Sequence, residues 1–549
     1  MGREADASPI QRSGAPPGQG RAHFALATLS GVLGFLACSY PWGGALGWFA
    51  LLPLLWVIDT APSTTRALWL SWWAGLVASF GACQWMIGVL MRFAGFQFLT
   101  AVEGHLLFSA YQGLVWLALG VMVRLARARL ALPMVAVVPF GLVTGQLLVP
   151  YLFPYGLELS QASNPAALQL ADLAGRFGVT ALLGLCSAVV FDLIGPSRGS
   201  RRVAQIGGVV GLVVLCGAWT YGFARLRLLD EQLRSAPVIR VGIVQPHASV
   251  GTQPPAPLAA AIQLIRFRQR SVDLAGRGAE LVIWPEGSYP GPYPRERQVD
   301  YPGSDPRTAS AGLTVPLIFG SLTERTRDHA LYNSALVFAP GGHLIGRYDK
   351  TVLVPFGEYI PRLLNLPWMR QLSLGTGPGL QAGEAGASPI AVDLREGSQH
   401  VRLGLLICYE DLLPGATRLS GDQHPDLLLN LSNDAWFDSR QETWMHLAAA
   451  VYAAVEQRTS LVRAVNPGGS ALIEPTGRIR FQTPLTHVGD PSATPESALI
   501  SVPLRSAGYT IYARTAQIFP LSCLLVNVLT LTGAWFRGQR AGKLGKYTP

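Results

Sequence analysis

Between Phe24 and Val123 the chain carries only four charged side chains, Asp59, Arg66, Arg92 and Glu103. Few folded forms are open to so long a stretch with so little charge. A helix that crosses a bilayer needs roughly 20 mainly apolar residues, because the hydrocarbon core gives the backbone no hydrogen-bond partners. The pattern predicts spans near 24–40, 44–59, 68–91, 96–123, 132–150, 177–195, 203–223 and 515–536, the first two of them short. One such run alone would read equally well as a buried helix of a soluble protein. Seven of them within the first 225 residues make a membrane bundle the expectation. A cleaved leader is not expected, since further runs follow the first at once.

The charges sort the chain into parts. Only 14% of the 549 residues are charged, against about 25% in ordinary soluble proteins. Residues 1–237 hold 15 basic and 9 acidic groups, residues 238–508 hold 23 and 24, and residues 509–549 hold 5 and 0. The polar middle therefore has no basic surplus to attract a phosphate backbone, and no nucleic-acid partner is expected. If the N-terminus is cytoplasmic, the inside segments hold 14 Lys and Arg and the outside loops only Arg92 and Arg176. The positive-inside rule then puts the polar domain outside the cytoplasm. The expected organisation is a cytoplasmic tail at 1–23, a bundle of about seven helices at 24–223, an exported domain with its linkers at 224–514, a last span at 515–536 and a cytoplasmic tail at 537–549.

Within the polar domain, strand-like segments (Val238–Gln245, Leu281–Trp284, Val315–Gly320, Ser334–Phe338, Arg402–Cys408, Asp426–Leu431 and Ser460–Val465) alternate with helical patterns at Leu258–Gly276 and Thr443–Arg458. That alternation predicts α/β layers. Pro/Gly-rich stretches at 287–310 and 373–390 read as long loops. There is no internal repeat.

Two residues in this domain stand out by scarcity. Cys408 is its only cysteine, the other five lying in or beside spans, so neither an internal disulfide nor a CxxC metal pattern is available. Cys408 closes the apolar strand GLLIC and reads either as a small buried hydrophobe or as a nucleophile. Lys350 is the only lysine in the domain, of three in a chain with 43 basic residues. A compact ammonium fits a tight site in a way the guanidinium fork does not. Glu286 follows the strand LVIW through Pro285. A carboxylate, an ammonium and a thiol together suit acyl transfer: the carboxylate takes the thiol proton and the ammonium favours negative charge on sulfur or oxygen.

The blocks WPEG (284–287), YDKTVLVPFGEYIP (348–361), ICYED (407–411) and NLSNDAWF (430–437) resemble the signatures of the nitrilase superfamily. The forms LVPFGE, CYE and SNDAWF, with YART at 512–515 before the last span, are similar to those of the bacterial apolipoprotein N-acyltransferases. The resemblance implies a polytopic α-helical membrane bundle joined to an α/β domain of the nitrilase-like αββα sandwich type. It implies Glu286 as general base, Lys350 as oxyanion-stabilising cation and Cys408 as nucleophile. Glu358 is carried over as the carboxylate that orients Lys350, or else as a structural ion pair. Tyr409 and Glu410 flank the nucleophile and either shape the pocket or support it from further out. Asn433 and Trp436 read as loop architecture, and His446 as a satisfied structural histidine rather than a base.

The implied reaction moves an acyl chain from the sn-1 position of a phospholipid, phosphatidylethanolamine, through a cysteine thioester to the α-amine of the diacylglyceryl-cysteine that begins an apolipoprotein. It takes place at the periplasmic face of the inner membrane and needs neither metal nor cofactor. Segment Pro361–Arg370, with Leu363, Leu364 and Trp368, is expected either to gate the lipid substrates or to pack on the sandwich. Two other readings remain: a membrane-tethered nitrilase-type amidase, and a transporter or channel built around Glu103, His105 and Asp192 with an exported binding module.

Overall fold

A computed structural model of the chain describes residues 19–196, 200–245, 256–361, 379–386, 388–394, 397, 399–413, 424–488, 490, 496–504 and 509–544. Each predicted apolar run is helical. Gln19–Ser39, Pro41–Thr60, Phe98–Leu130, Ala171–Ile194, Arg201–Arg234 and Ile518–Gln539 are long and apolar enough to cross a membrane. Two runs depart from expectation. The third, read as one span at 68–91, is broken: Thr64–Ala82 and Met86–Phe93 meet at 62°. The break frees carbonyls at the end of the first helix, and Gln441 of the polar domain donates to those of Gly81 and Ala82. Hydropathy reports apolar length and is blind to such a bend. The fifth run is the shorter apolar helix Met134–Leu148, whose first N–H groups, at Met134 and Val135, are capped by Asp192.

Helix direction divides the bundle into two ends. Gln19–Ser39 finishes against the polar domain, where Gln441 donates to Ser39 Oγ. Its other end, at Gly20, accepts from Arg66, and Arg201 donates to the carbonyls that end Ala171–Ile194. Arg127 is paired with Asp59 in a buried bridge at 2.8 Å near that same end. Arg66, Arg127 and Arg201 thus lie at the end remote from the polar domain, while Arg92 and Arg176 meet that domain. The Arg201–Arg234 helix runs past 223 and leads almost directly into the first strand.

The polar domain is two mixed sheets face to face. The first contains β1 (Val238–Gln245), β2 (Leu281–Ile283), β3 (Tyr293–Pro294), β4 (Leu317–Arg325), β5 (Ala330–Phe338) and β6 (Leu344–Asp349). The second contains β7 (Ile390–Leu394), β8 (Gln399–Ile407), β9 (Leu427–Asn433), β10 (Leu461–Asn466), β11 (Ala471–Ile473) and β12 (Ile479–Gln482). β13 (Glu496–Pro503) returns to the first sheet, giving the order β13-β1-β2-β4-β5-β6 with β3 on β4, beside β12-β11-β10-β9-β8-β7. β1, β2 and β4 are parallel, as are β8, β9 and β10. Helix Pro257–Gly276 buries Leu264, Phe267 and Leu274 on the first sheet, and helix Arg440–Gln457 covers the second. These are the layers of an αββα sandwich. The stretch 287–310 is largely irregular but packed, with Tyr289, Tyr293 and Tyr301 buried around Asp300.

The Arg440–Gln457 helix has no wet side: every residue from Gln441 to Gln457 is buried. One side lies on the sheet and the other on the bundle. Tyr452 donates to the Glu158 carbonyl, Arg458 to Asp172, and the Arg176 N–H to Glu456. The Ala171–Ile194 helix turns at Gly175 (φ +62°), where a Cβ would stand 2.4 Å from the Tyr512 ring. Only a glycine lets that helix and the Ile511–Thr515 turn touch.

Candidate active site

The site is assembled at the C-terminal ends of β2, β6 and β8, where a strand gives way to a turn. β2 stops at Ile283, and Pro285 and Gly287 (φ +63°) fold the chain so that Glu286 faces inward. The turn presses on Gly320 of β4, where a Cβ would lie 2.5 Å from Glu286 Cα. Lys350 follows β6, and its N–H is held by the carbonyl of Asn333 on β5 at 2.8 Å. Cys408 follows β8 and opens the one-turn 3-10 helix Cys408–Leu412. Its φ of +50° lies in the left-handed region that non-glycine residues rarely adopt. Strain of this kind clusters at functional sites.

The side chains interlock. Lys350 Nζ donates to Glu358 Oε1 at 2.9 Å and lies 3.9 Å from Glu286 Oε1. Asn333 Nδ2 donates to Glu286 Oε1 at 2.6 Å and to Glu358 Oε1 at 3.1 Å. The Val354 N–H fixes the other oxygen of Glu358 at 2.8 Å. Glu286 Oε2 has no hydrogen-bond partner among the described residues. Exposure is low throughout: 8% for Glu286, 1% for Lys350 and 7% for Cys408.

Burial sets the resting charges. It pushes the Glu286 carboxyl above its ordinary range, Lys350 pulls it down, and Glu358 pushes it up again. Burial alone would lower Lys350, but Glu358, Cys408 and Glu286 outweigh it and hold the ammonium charged. Burial and Glu286 push the Cys408 thiol well up, against the pull of Lys350. These shifts favour the thiol form of Cys408, with the Glu286 carboxyl and the Lys350 ammonium in its field.

Glu410, fully buried, ties the two halves of the site together. It accepts from Thr351 N (2.7 Å), Thr351 Oγ1 (2.8 Å), Val352 N (3.1 Å), Ile407 N (2.8 Å) and Tyr348 OH (2.9 Å). It joins the segment after Lys350 to the strand end before Cys408. Tyr409 reaches into the bundle, where its hydroxyl donates to the Leu152 carbonyl at 2.7 Å and its ring meets Phe153 edge-on. Asn433 and Trp436 shape a loop: Asn433 accepts from Asn466, and the Trp436 ring lies against Phe93 while Arg92 donates to its carbonyl. Leu363, Leu364 and Trp368 lie outside the described residues.

Sequence reasoning missed Asn333, because the strand was expected to begin at Ser334 and β5 starts earlier, at Ala330. It also missed that His446 is the centre of a buried charge cluster, with Asp411, Asp434, Glu442 and Arg463 around it. Asp434, Glu442 and His446 are close enough together to hold a cation. Arg463 already supplies positive charge there, 3.7 Å from both aspartates, and both ring nitrogens of His446 face carboxylates. The bundle groups named for a transport reading do not converge: Glu103 is exposed, while His105 bonds to the Phe80 carbonyl and Asp192 caps a helix.

Residues 240–487 match the carbon-nitrogen hydrolase family, and residues 30–189 match the apolipoprotein N-acyltransferase N-terminal domain. The fold and these matches define a membrane acyltransferase of the carbon-nitrogen hydrolase superfamily. Among curated proteins, the apolipoprotein N-acyltransferase of Caulobacter vibrioides is 31% identical over 83% of this chain and 85% of its own. That of Geobacter metallireducens is 29% identical over 92% and 94%. The chain belongs to the apolipoprotein N-acyltransferase family. Among solved structures, an amidase from Nesterenkonia sp. AN1 matches 48% of this chain and 90% of its own, at 19% identity and a TM-score of 0.35.

Proposed function

We propose that this N-acyltransferase works through Glu286, Lys350 and Cys408 by a thioester, taking its acyl chain from the sn-1 ester of phosphatidylethanolamine and giving it to the diacylglyceryl-cysteine of apolipoproteins. The observation that carries the reading is the left-handed Cys408 in the field of a buried ammonium and a carboxylate with one unengaged oxygen. Cys408 Sγ attacks the ester carbonyl as its proton passes to Glu286 Oε2. The oxyanion is stabilised by Lys350. The C–O bond then breaks, and Glu286 returns the proton to the departing lysophospholipid oxygen. In the second half the lipoprotein α-amine attacks the thioester, Glu286 takes an amine proton, the C–S bond breaks and sulfur is reprotonated. The scheme is ping-pong.

Both substrates carry acyl chains, and each buried CH₂ is worth about 0.8 kcal/mol, so the chemistry belongs at the bilayer surface. The Tyr409 and Phe153 contact sets the nucleophile turn directly on the bundle, in keeping with that position. Arginines gathered at the remote end of the bundle favour a cytoplasmic location for that end and a periplasmic one for the site.

The test is intact mass after incubation with phosphatidylethanolamine vesicles and rapid acid quench, beside Cys408→Ala. An added acyl mass, labile to hydroxylamine, absent in Cys408→Ala and cleared by a diacylglyceryl peptide, is expected. No adduct in the absence of acceptor, with free fatty acid released instead, would overturn the transfer scheme in favour of hydrolysis.

A further inference from the structure

One buried ionisable group near the site has no part in that scheme. His446 sits on the Arg440–Gln457 helix with Nε2 2.8 Å from Asp411 Oδ1 and Nδ1 2.9 Å from Asp434 Oδ1. The two aspartates belong to different turns. Asp411 is in the Cys408–Leu412 turn, three residues after the nucleophile. Asp434 opens the Asp434–Trp436 turn, preceded by Asn433, and a Cβ on Gly287, beside Glu286, would meet the Asn433 side-chain amide at 3.9 Å. One ring therefore joins the turn that carries the nucleophile to the turn that adjoins the base.

Two carboxylates on two ring nitrogens demand two N–H donors. A neutral imidazole has only one, so the ring here is an imidazolium. The surrounding charges close around it. Arg463 adds a second cation, and Glu442, 3.7 Å from Nδ1, accepts from the Tyr155 hydroxyl of the bundle. Burial and the nearby Asp434 push the Glu442 carboxyl well up. With both N–H groups engaged, His446 has no proton to trade with substrate.

We propose that His446 is a positioning residue for acyl transfer: its imidazolium bridges Asp411 to Asp434 and holds the Cys408 turn in register with the turn beside Glu286. The proposal rests on the reading of Cys408 as nucleophile. Misplacing a reacting group by 1 Å can cost about 10²-fold in rate, so loss of the bridge acts on the acylation step rather than on lipid binding.

The experiment uses the full-length protein in phosphatidylethanolamine vesicles: wild type, Cys408→Ala, His446→Gln and Asp411→Asn. It measures the rate of acyl-enzyme formation by rapid quench and intact mass, KM for the phospholipid, and alkylation of Cys408 by iodoacetamide from peptide mapping. Protease resistance reports the fold. His446→Gln is expected to acylate about 10²-fold more slowly, with KM within about twofold of wild type and Cys408 alkylation slowed at least about tenfold. Asp411→Asn keeps an acceptor for Nε2 and is expected to lose less, about three- to tenfold. A folded His446→Gln within about threefold of wild type on both acylation and alkylation overturns the proposal. If His446→Gln does not fold, a wild-type rate in Asp411→Asn overturns it instead. A wild type whose acyl adduct also appears in Cys408→Ala would sink the nucleophile reading, and the alkylation rates would still decide whether His446 sets that thiol.

Discussion

Replacing Glu410 by Gln changes one atom in the brace that joins Lys350 to Cys408. Oε1 accepts from Thr351 N, Thr351 Oγ1 and Val352 N, Oε2 accepts from Ile407 N, and Tyr348 OH reaches both. The better fit for Gln puts its oxygen among the three donors and its NH₂ toward Ile407 N–H. Tyr348 can rotate to accept, but the Ile407 N–H is left buried against another donor. An orphaned buried donor costs roughly 1–3 kcal/mol, and each of three surviving bonds loses about 1 kcal/mol of charge assistance. Against this, burial pushes the Glu410 carboxyl up, so the charge itself is held at a cost that Gln avoids. A net of about 2–4 kcal/mol remains, concentrated on the segment after Lys350 and the strand end before Cys408. The expected result is acylation slowed by at least about 10²-fold with phospholipid KM little changed, measured by rapid quench and intact mass. The pH–rate profile should keep its shape, because Glu410 exchanges no proton with substrate. A profile that loses a limb would mean that Glu410 is itself an acid or base. Acylation within about threefold of wild type would refute the brace.

Other changes probe neighbouring parts. Glu286→Gln removes the proposed base and should lower acylation by about 10²–10⁴-fold, measured in the same quench assay. The acid limb of kcat/KM in wild type should lie above the ordinary glutamate range, since burial raises Glu286; activity falls as pH drops through that raised value. Glu358→Gln removes a neighbouring negative charge that pushes Glu286 up, so the limb should move to lower pH. Gly320→Ala puts a Cβ 2.5 Å from Glu286 Cα and should cut kcat more than it raises KM, with Gly242→Ala as the steric control away from the site. His446 is raised from 6.5 to about 10, its aspartate partners outweighing burial and Arg463. Its contribution to stability is complete below about pH 6.5 and is lost as pH rises through about 10. Thermal unfolding followed from pH 6 to 10 should show that decline in wild type and a shallower one in His446→Gln.

The parts legible in the sequence were those that hydropathy and scarcity encode. Eight apolar runs became helices because a bilayer asks only for uncharged length. Glu286, Lys350 and Glu358 were found through strand ends, a lone lysine and family blocks, and the fold brings them together. What stayed hidden depends on contacts between distant segments. The bend at Cys83–Trp85 needs Gln441, some 360 residues later, to satisfy its carbonyls. The second sheet was underread because β7, β11 and β12 are short, five, three and four residues, and β13 because it is an antiparallel return to β1. Glu410 looked like a pocket residue because sequence shows its proximity to Cys408, not its five donors. Asn333 was hidden because it falls one residue before the expected strand Ser334–Phe338.

The helix Arg440–Gln457 has a consequence for how the molecule is made. A free-standing sandwich could present one side of such a helix to water. Here Gln441 and Tyr452 bond to the bundle, Glu442 accepts from Tyr155 and Glu456 from the Arg176 N–H, so the sandwich alone would leave these buried groups without those partners. The catalytic part is therefore not a module that matures by itself and is then tethered. Its outer layer is finished by the bundle. Thr510 and Tyr512, just ahead of the last helix, lock on to Glu456 and Gly175. The segment that enters the last helix thus packs on the end of the same helix that the bundle covers, so both ends of the chain complete one layer.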